Sequence, residues 1–376
     1  MTISRLSKLS KFLTSHPPGS ESAGGLDALL LNAGPSLVYL TGMHFHLSER
    51  PIIAVFSGEH EPVIFLPELE MLKVSDLPFQ LRACPYGEKP DDWGGVLRTA
   101  ISTLNLNRKR IGVEPRQLRL LEYNLVRACI PESIFQDGSE VISSLRAQKD
   151  GEEISAIRKA VSVAEAALEA AIPLVKTGMT EKELAAELVV QLLRHGSQPE
   201  MPFAPIVSSG PNSANPHAVP TERKLQPGDL LVVDWGAAVD GYVSDLTRTF
   251  AVGEADAELR KIHQIVLEAN EAGRLAGKPG VPCAQVDRAA RSVIEKAGYG
   301  EYFTHRTGHG IGMEGHEAPY LRADNMELLE EGMVYTVEPG IYLPDGNGVR
   351  IEDNLVITGD GADCLSDMSR ELRIIG

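Results

Sequence analysis

Apolar residues in the first 145 positions come in short runs separated by polar breaks: LDALLLNAG, SLVYLTG, PIIAVFSG and EPVIFLP. PIIAVFSG and EPVIFLP predict two strands joined by a turn, VLRTAISTLNL predicts a helix, and KRIGVEP a following strand. Strands alternating with helices predict an α/β domain, a sheet with helical cover, over residues 1–145. The pattern then changes. Asp150 and Glu153 have capping-box spacing, and Ile154, Ile157, Val161, Ala164 and Leu168 follow at helical intervals. This helix either opens a second domain, residues 146–376, or connects the two. Thr180 and Glu183 cap a further helix, TEKELAAELVVQLLRHG, which stops at Gly196. A second amphipathic segment, CAQVDRAARSVIEKAG, stops at Gly298. A predicted hairpin lies downstream of each: LLVVDWGAAVDGYVSDLTRTF, and MVYTVEPGIYL turning through PDGNG into VRIEDNLVI. The second domain therefore reads as α+β, a helix-and-hairpin unit built twice about a pseudo-twofold. The halves are too divergent to count as a sequence repeat.

Both hairpins break their own apolar pattern with acids. The first carries Asp234 and Asp245, the second Glu338 and Glu352. Strand interiors disfavour Asp, and a buried carboxylate without a partner is costly. A two-residue type I′ turn at Asp240-Gly241 sets Asp245 opposite Gly236 and Asp234 opposite Thr247. The two aspartates then share a face, roughly 5–8 Å apart at Cβ. Like charges so close need protons or a cation. Arg350 shares a face with Glu352 and offers partial compensation. His309, in THRTGHGIGMEGHEAP, adds an imidazole on what reads as an exposed glycine-rich loop. HEAPY is not an HExxH zinc motif, since it lacks the second His and Pro319 would break the helix. Any one of these acids alone reads as structural; five ligand-type residues at mirrored positions do not. Four carboxylates and one imidazole suit two Mn, Fe, Co or Zn ions, whose shared hydroxide is a nucleophile near pH 7. His195 and His263 fall in helical stretches, read as surface positions, and receive no role.

Composition narrows the class. The chain has 376 residues and a formal net charge of −16, which argues against a nucleic-acid backbone binder. Its four cysteines are scattered and form no CxxC pair, so a disulfide framework or zinc finger is not expected. No run suits a membrane span, and the first residues show no signal-peptide core. The expected location is cytoplasmic.

The stretches NPHAVP, VVDWGAAVDGYVSDLTRTF, TGHGIGMEGHEAP, TVEPGIYLP and VRIEDN resemble the pita-bread metallopeptidases, family M24, the group of methionine aminopeptidase, aminopeptidase P and prolidase. The preceding α/β domain is similar to the creatinase-like domain of the Xaa-Pro group, which methionine aminopeptidases usually lack. The resemblance implies that Asp234, Asp245, His309, Glu338 and Glu352 hold two divalent ions, manganese first, with cobalt, zinc or iron as alternatives. Asp245 and Glu352 would bridge, His309 and Glu338 would complete one site, and Asp234 the other. Glu338 would also shuttle the proton of a bridging hydroxide that attacks the Xaa-Pro bond. His316 would stabilise the oxyanion, His217 would help hold the substrate, and Arg350 and Thr247 would support the ligands.

A dipeptidase must grip the free carboxylate of its C-terminal proline, usually with arginine. Some prolidases place one shortly after the HExP motif; here Tyr320 follows HEAP and Arg322 comes two later. In the loop TGMHFHLSERP, His46 and Arg50 are further candidates, because this domain commonly reaches the partner's active site in family homodimers. A metal-binding HxH pair or an ordinary solvated loop are the other readings. The expected activity is Xaa-Pro dipeptide hydrolysis. Alternatives are an aminopeptidase acting on longer peptides with proline second, a non-catalytic peptide-binding module, and a metal-free creatinase-like amidinohydrolase.

Overall fold

The computed structural model describes residues 2–15, 25–58, 60–344 and 346–376. The chain divides into two compact units, Met1–Arg146 and Ala147–Gly376. The first contains α1 (Thr2–Ser15), β1 (Ala28–Asn32), α2 (Pro35–Thr41), β2 (Ile53–Ser57), β3 (Val63–Pro67), β4 (Arg82–Tyr86), α3 (Pro90–Ile101), β5 (Arg110–Val113), α4 (Leu120–Cys129), β6 (Ile134–Asp137) and α5 (Ser139–Ala147). Its six strands run in the order β4-β3-β2-β1-β5-β6. The strands of PIIAVFSG and EPVIFLP pair antiparallel as expected, and KRIGVEP supplies a strand parallel to β1. One boundary moves. The helix expected over VLRTAISTLNL begins at Pro90, because Pro at the first turn and Asp91 and Asp92 behind it favour an N-terminus there.

The second unit opens with α6 (Gly151–Ala171), whose Asp150–Glu153 capping box forms as read. The Thr180–Glu183 box starts α7 (Glu181–Arg194). Then come β7 (Ile206–Ser209), β8 (Leu230–Trp235), β9 (Ala238–Val239), β10 (Tyr242–Val243) and β11 (Leu246–Val252). The second half repeats the plan with α8 (Ala257–Ala276), α9 (Cys283–Lys296), β12 (Gly308–Gly310), β13 (Glu317–Leu321), β14 (Val334–Val337), β15 (Gly340–Tyr342), β16 (Gly348–Arg350), β17 (Asp353–Ile357), β18 (Ala362–Cys364) and β19 (Arg373–Ile375). Each half thus leads with a pair of packed helices, α6 with α7 and α8 with α9, rather than with one. His263 lies on the buried side of α8 at 3% exposure, not on the surface. Burial pulls its imidazole down to about 4, so it is neutral at pH 7.

Two sheets carry the hairpins, ordered β19-β11-β8-β7 and β13-β12-β14-β17-β18. In the first, Ile157, Val161 and Leu168 of α6 pack in one core with Leu231, Val233 and Trp235 of β8, and the Trp235 indole donates to the Ala164 carbonyl at 2.7 Å. The turn residues Asp240 and Gly241 have φ of 52° and 80°, the doubly positive pair that a type I′ turn needs. The register follows from it: Tyr242 pairs with Val239, Leu246 with Trp235 and Thr247 with Asp234. In the second hairpin Val337 pairs with Asp353 and Gly340 with Arg350, a register that sets Glu338 opposite Glu352.

Candidate metal centre and active site

The two hairpins are stitched together where their acids lie. Thr247 Oγ1 donates to Glu352 Oε2 at 2.8 Å, and the Glu352 amide donates to the Thr247 carbonyl at 3.1 Å. Asn354 brackets Asp245 from the other hairpin, accepting from its amide at 3.1 Å and donating to its carbonyl at 2.5 Å. Gly236, opposite Asp245, is forced to be glycine: a Cβ there would stand 2.1 Å from the Ser244 carbonyl oxygen. Asp234, Asp245 and Glu352 present ligand atoms that all lie within 4.8 Å of one another, and so do His309, Glu338 and Glu352. Glu352 belongs to both groups.

His309 departs from the sequence reading. It lies not on an exposed loop but in β12, at 1% exposure. The flanking glycines explain this. A Cβ on Gly308 would stand 1.9 Å from the Thr336 carbonyl oxygen, and one on Gly310 would stand 2.1 Å from that of Ala318, so only bare backbone fits between the neighbouring strands. His309 Nε2 stands 3.3 Å from Glu338 and 3.7 Å from Asp245.

The electrostatics are those of an under-neutralised cluster. Burial, then the charges of Glu352 and Asp234, hold Asp245 well above the usual carboxylate range. Burial, then Glu338 and Asp234, do the same to Glu352. Asp234 is raised by burial, although Arg350 opposes the shift by donating to it from Nη2 at 2.5 Å. Glu338 alone runs the other way: burial would raise it, but the bond and charge of His309 bring it down to about 2. Among the described residues Asp234 Oδ1 and Glu352 Oε1 are buried without a hydrogen-bond partner. Orphaned carboxylate oxygens converging beside one imidazole are the donor set of a divalent-cation site, so the residues fit two such ions.

The acids form the floor of a cavity of about 1160 Å³ that His217, His316 and Arg322 also line. His217 is exposed. His316 is exposed at the mouth, with its ring 4.0 Å from that of His309. Desolvation by the cavity wall, with the charges of His309 and Arg306, lowers it to about 4. Arg322 is 59% exposed and paired with Asp324 at 2.9 Å. Arg350 is more central than sequence suggested. Besides Asp234 it donates to Thr247 Oγ1 at 3.0 Å, Tyr342 Oη at 2.9 Å and the Pro216 carbonyl at 3.2 Å. Two groups went unread. Tyr342 Oη also meets His305 Nε2 at 2.9 Å, extending the chain of polar contacts to the cavity wall. Arg306 lines the same wall. His305 and Arg306 do stand in the singled-out THRTGHG segment, which was the available signal. His46 and Arg50 belong to the N-terminal unit, where Arg50 is engaged by Glu49 at 2.7 Å and Glu88 at 3.0 Å.

Residues 155–359 match the model of metallopeptidase family M24, and residues 21–148 match that of the creatinase/prolidase N-terminal domain. The chain belongs to metallopeptidase family M24. As an M24 metallopeptidase it joins a creatinase-type N-terminal domain to a pita-bread catalytic domain, as the motifs implied. It is 34% identical to an Xaa-Pro dipeptidase of Lactobacillus delbrueckii subsp. lactis, over 93% of this chain and 95% of the relative. Among solved structures, a prolidase from Thermococcus sibiricus aligns with a TM-score of 0.92 at 32% identity, covering 100% of this chain and 99% of that one. An X-Pro aminopeptidase from Thermotoga maritima aligns at 0.83 and 30%, covering 98% and 99%. Likeness of fold therefore extends to both the dipeptidase and the aminopeptidase branches of this M24 group. No described helix is long and apolar enough to cross a membrane.

Proposed function

We propose that this M24 metallopeptidase hydrolyses the Xaa-Pro bond of dipeptides, using two divalent ions held by Asp234, Asp245, His309, Glu338 and Glu352. The observation that carries the reading is the pair of orphaned buried oxygens, on Asp234 and Glu352, inside a cluster whose burial otherwise favours protonation. Glu352 belongs to both ligand groups, and Asp245 shares one of them with it and stands 3.7 Å from His309, so these two carboxylates would be the ones held in common by the two ions. When bound, two such ions supply a water deprotonated near neutral pH and a Lewis acid for the scissile carbonyl.

The remaining steps belong to the protein. Glu338 takes the proton of the attacking water and hands it to the departing proline nitrogen. His316, neutral at pH 7, donates an N–H to the carbonyl oxygen as negative charge develops there. Arg350 and Thr247 fix Asp234 and Glu352 against rotation, and His217 steadies the substrate from the rim. Manganese as the resident metal, a homodimer and a cytoplasmic location complete the proposal. His46 and Arg50 carry no step in it.

The name of the Lactobacillus relative favours dipeptides, and the Thermotoga neighbour is the reason to keep the aminopeptidase reading as the second. A paired assay separates them. Protein reconstituted with Mn²⁺, and separately with Co²⁺ or Zn²⁺, receives Ala-Pro or Ala-Pro-Ala. Cleavage of Ala-Pro with little of the tripeptide is expected. Preference for Ala-Pro-Ala transfers the chain to the aminopeptidase reading, and no cleavage of either sinks both.

A further inference from the structure

Glu181, the first residue of α7, is fully buried, and no step proposed above uses it. Its carboxylate accepts five hydrogen bonds. Oε1 takes the Ser209 amide at 2.7 Å and the Ser209 hydroxyl at 2.8 Å. Oε2 takes the Asn212 side-chain amide at 2.8 Å, the Thr221 amide at 2.9 Å and the Thr221 hydroxyl at 2.7 Å. Ser209 and Thr221 are the two ends of one loop, and that loop carries Pro216 and His217 into the cavity wall. A buried carboxylate is stable where donors surround it, and here the donors come from both ends of the loop.

Among the described residues the His217 ring makes no hydrogen bond; only its amide is held, by Asn215 Oδ1 at 3.1 Å within the same loop. The backbone of the loop therefore sets where the ring stands. One residue earlier, the Pro216 carbonyl accepts from Arg350 Nη1 at 3.2 Å. The far side of the loop is keyed to the second hairpin: the Gly348 amide donates to Ser213 Oγ at 2.8 Å, and a Cβ on Gly348 would stand 1.9 Å from the Ser213 carbonyl oxygen. Arg223 fixes the near side, donating from Nη1 to Ser209 Oγ at 2.7 Å, which turns the Ser209 proton toward Glu181.

We infer that Glu181 is a positioning residue for substrate binding: its carboxylate clamps both ends of the 209–221 loop and so holds His217 where it meets the dipeptide. The inference rests on the Xaa-Pro reading and on the place that reading gives His217. The clamp needs a group that only accepts. Ser209 and Thr221 each present a backbone N–H that cannot be turned round, one to each carboxylate oxygen, so a Gln in place of Glu181 sets its NH2 against one of them. Arg350 keeps Asp234, Thr247 and Tyr342 when the Pro216 carbonyl moves, so the proposed metal ligands should stay in place.

The test compares E181Q, H217A and the double variant as full-length, Mn²⁺-reconstituted proteins on Ala-Pro. E181Q should raise KM about 10-fold, the lower end of the worth of a hydrogen bond to a charged group, with kcat within about 3-fold of wild type and ion content unchanged. E181D, which keeps the charge one methylene short, should recover part of the loss. The KM of E181Q/H217A should match that of H217A, because the clamp acts through that ring. KM effects that multiply in the double variant overturn the inference. So does an E181Q that loses kcat or bound ions with KM unchanged, the pattern of a purely structural acid. Amide hydrogen exchange of the metal-free proteins gives a readout without substrate. E181Q should speed exchange across 209–221 while β8 stays as in wild type, and unchanged exchange in the loop overturns the clamp. A wild type that cleaves neither Ala-Pro nor Ala-Pro-Ala removes the Xaa-Pro reading itself, and the clamp then stands or falls on exchange alone.

Discussion

Directly behind the proposed metal ligands, Asp353 is fully buried and gathers three arginines. Arg248 donates to it at 2.9 Å, Arg370 at 2.7 and 2.9 Å, and Arg274 stands 3.7 Å away. Arg248 at the same time donates to the Glu352 carbonyl at 2.7 Å and the Thr247 carbonyl at 2.9 Å, so this knot holds the backbone from which the ligands project. The substitution D353N keeps the shape and removes the charge. Burial alone would raise the Asp353 carboxylate, yet Arg248 and Arg370 hold it down to about 2, from an ordinary 3.8. That depression corresponds to about 2–3 kcal/mol. The variant also leaves buried guanidinium groups uncompensated, which brings the expected loss to about 3–5 kcal/mol. The chain has two tryptophans, and with Trp93 replaced by Phe the buried Trp235 reports on the catalytic unit alone. Urea unfolding followed by Trp235 fluorescence measures the loss. The sign with pH follows from a folded value below the unfolded one. The contribution is complete above about pH 4 and disappears as pH falls through about 2, so D353N should lack that part of the acid sensitivity. A loss under about 1 kcal/mol with an unchanged acid profile would refute the reasoning, because it would mean that the knot is neither tightly paired nor carrying its neighbours.

Other consequences are simpler to test. G236A forces a Cβ to 2.1 Å from a backbone carbonyl, so the first hairpin must shift; a stability loss of about 1–3 kcal/mol and a fall in metal affinity are expected in thermal melts and metal titrations. Because burial and mutual repulsion hold Asp245 and Glu352 well above the normal carboxylate range, cation binding to the metal-free protein should displace protons. Calorimetric metal titrations in buffers of different ionisation enthalpy should reveal release of about one proton or more per chain, and buffer-independent heats would contradict it. T247V removes the hydroxyl that ties Glu352 and receives Arg350, and should weaken metal binding without a comparable loss of fold, as circular dichroism alongside metal titration would show.

What could be read beforehand divides along physical lines. The hairpin register was legible because Asp-Gly fixes a two-residue turn, and a fixed turn dictates every pairing above it. That one signal put Asp234, Asp245 and Gly236 in place. The cappings of α6 and α7 were legible for the same reason, as local chemistry at local spacing. Burial of His309 was not, since glycines mark close approach without saying what approaches; the Thr336 and Ala318 carbonyls come from strands that are remote or folded back upon it. The chain from His305 through Tyr342 to Arg350 and Asp234 joins residues up to 116 positions apart and has no sequence period at all. Arg322 looked attractive because motif position was the only guide; exposure and the Asp324 pair are tertiary facts. The stretch around His263 read as helical, but its place as the first helix of the second half did not, because its packing against α9 is a tertiary fact.

The central claim is that the four carboxylates and His309 form a two-cation hydrolytic centre. Its most direct measurement is elemental analysis of the reconstituted, desalted protein, paired with Ala-Pro hydrolysis before chelation, after chelation and after metal is restored. The account predicts close to two divalent ions per chain, activity abolished by EDTA and recovered with Mn²⁺, and loss of both ions and activity in D245N. Hydrolysis that survives complete metal removal, or wild type that retains no divalent ion, would contradict it.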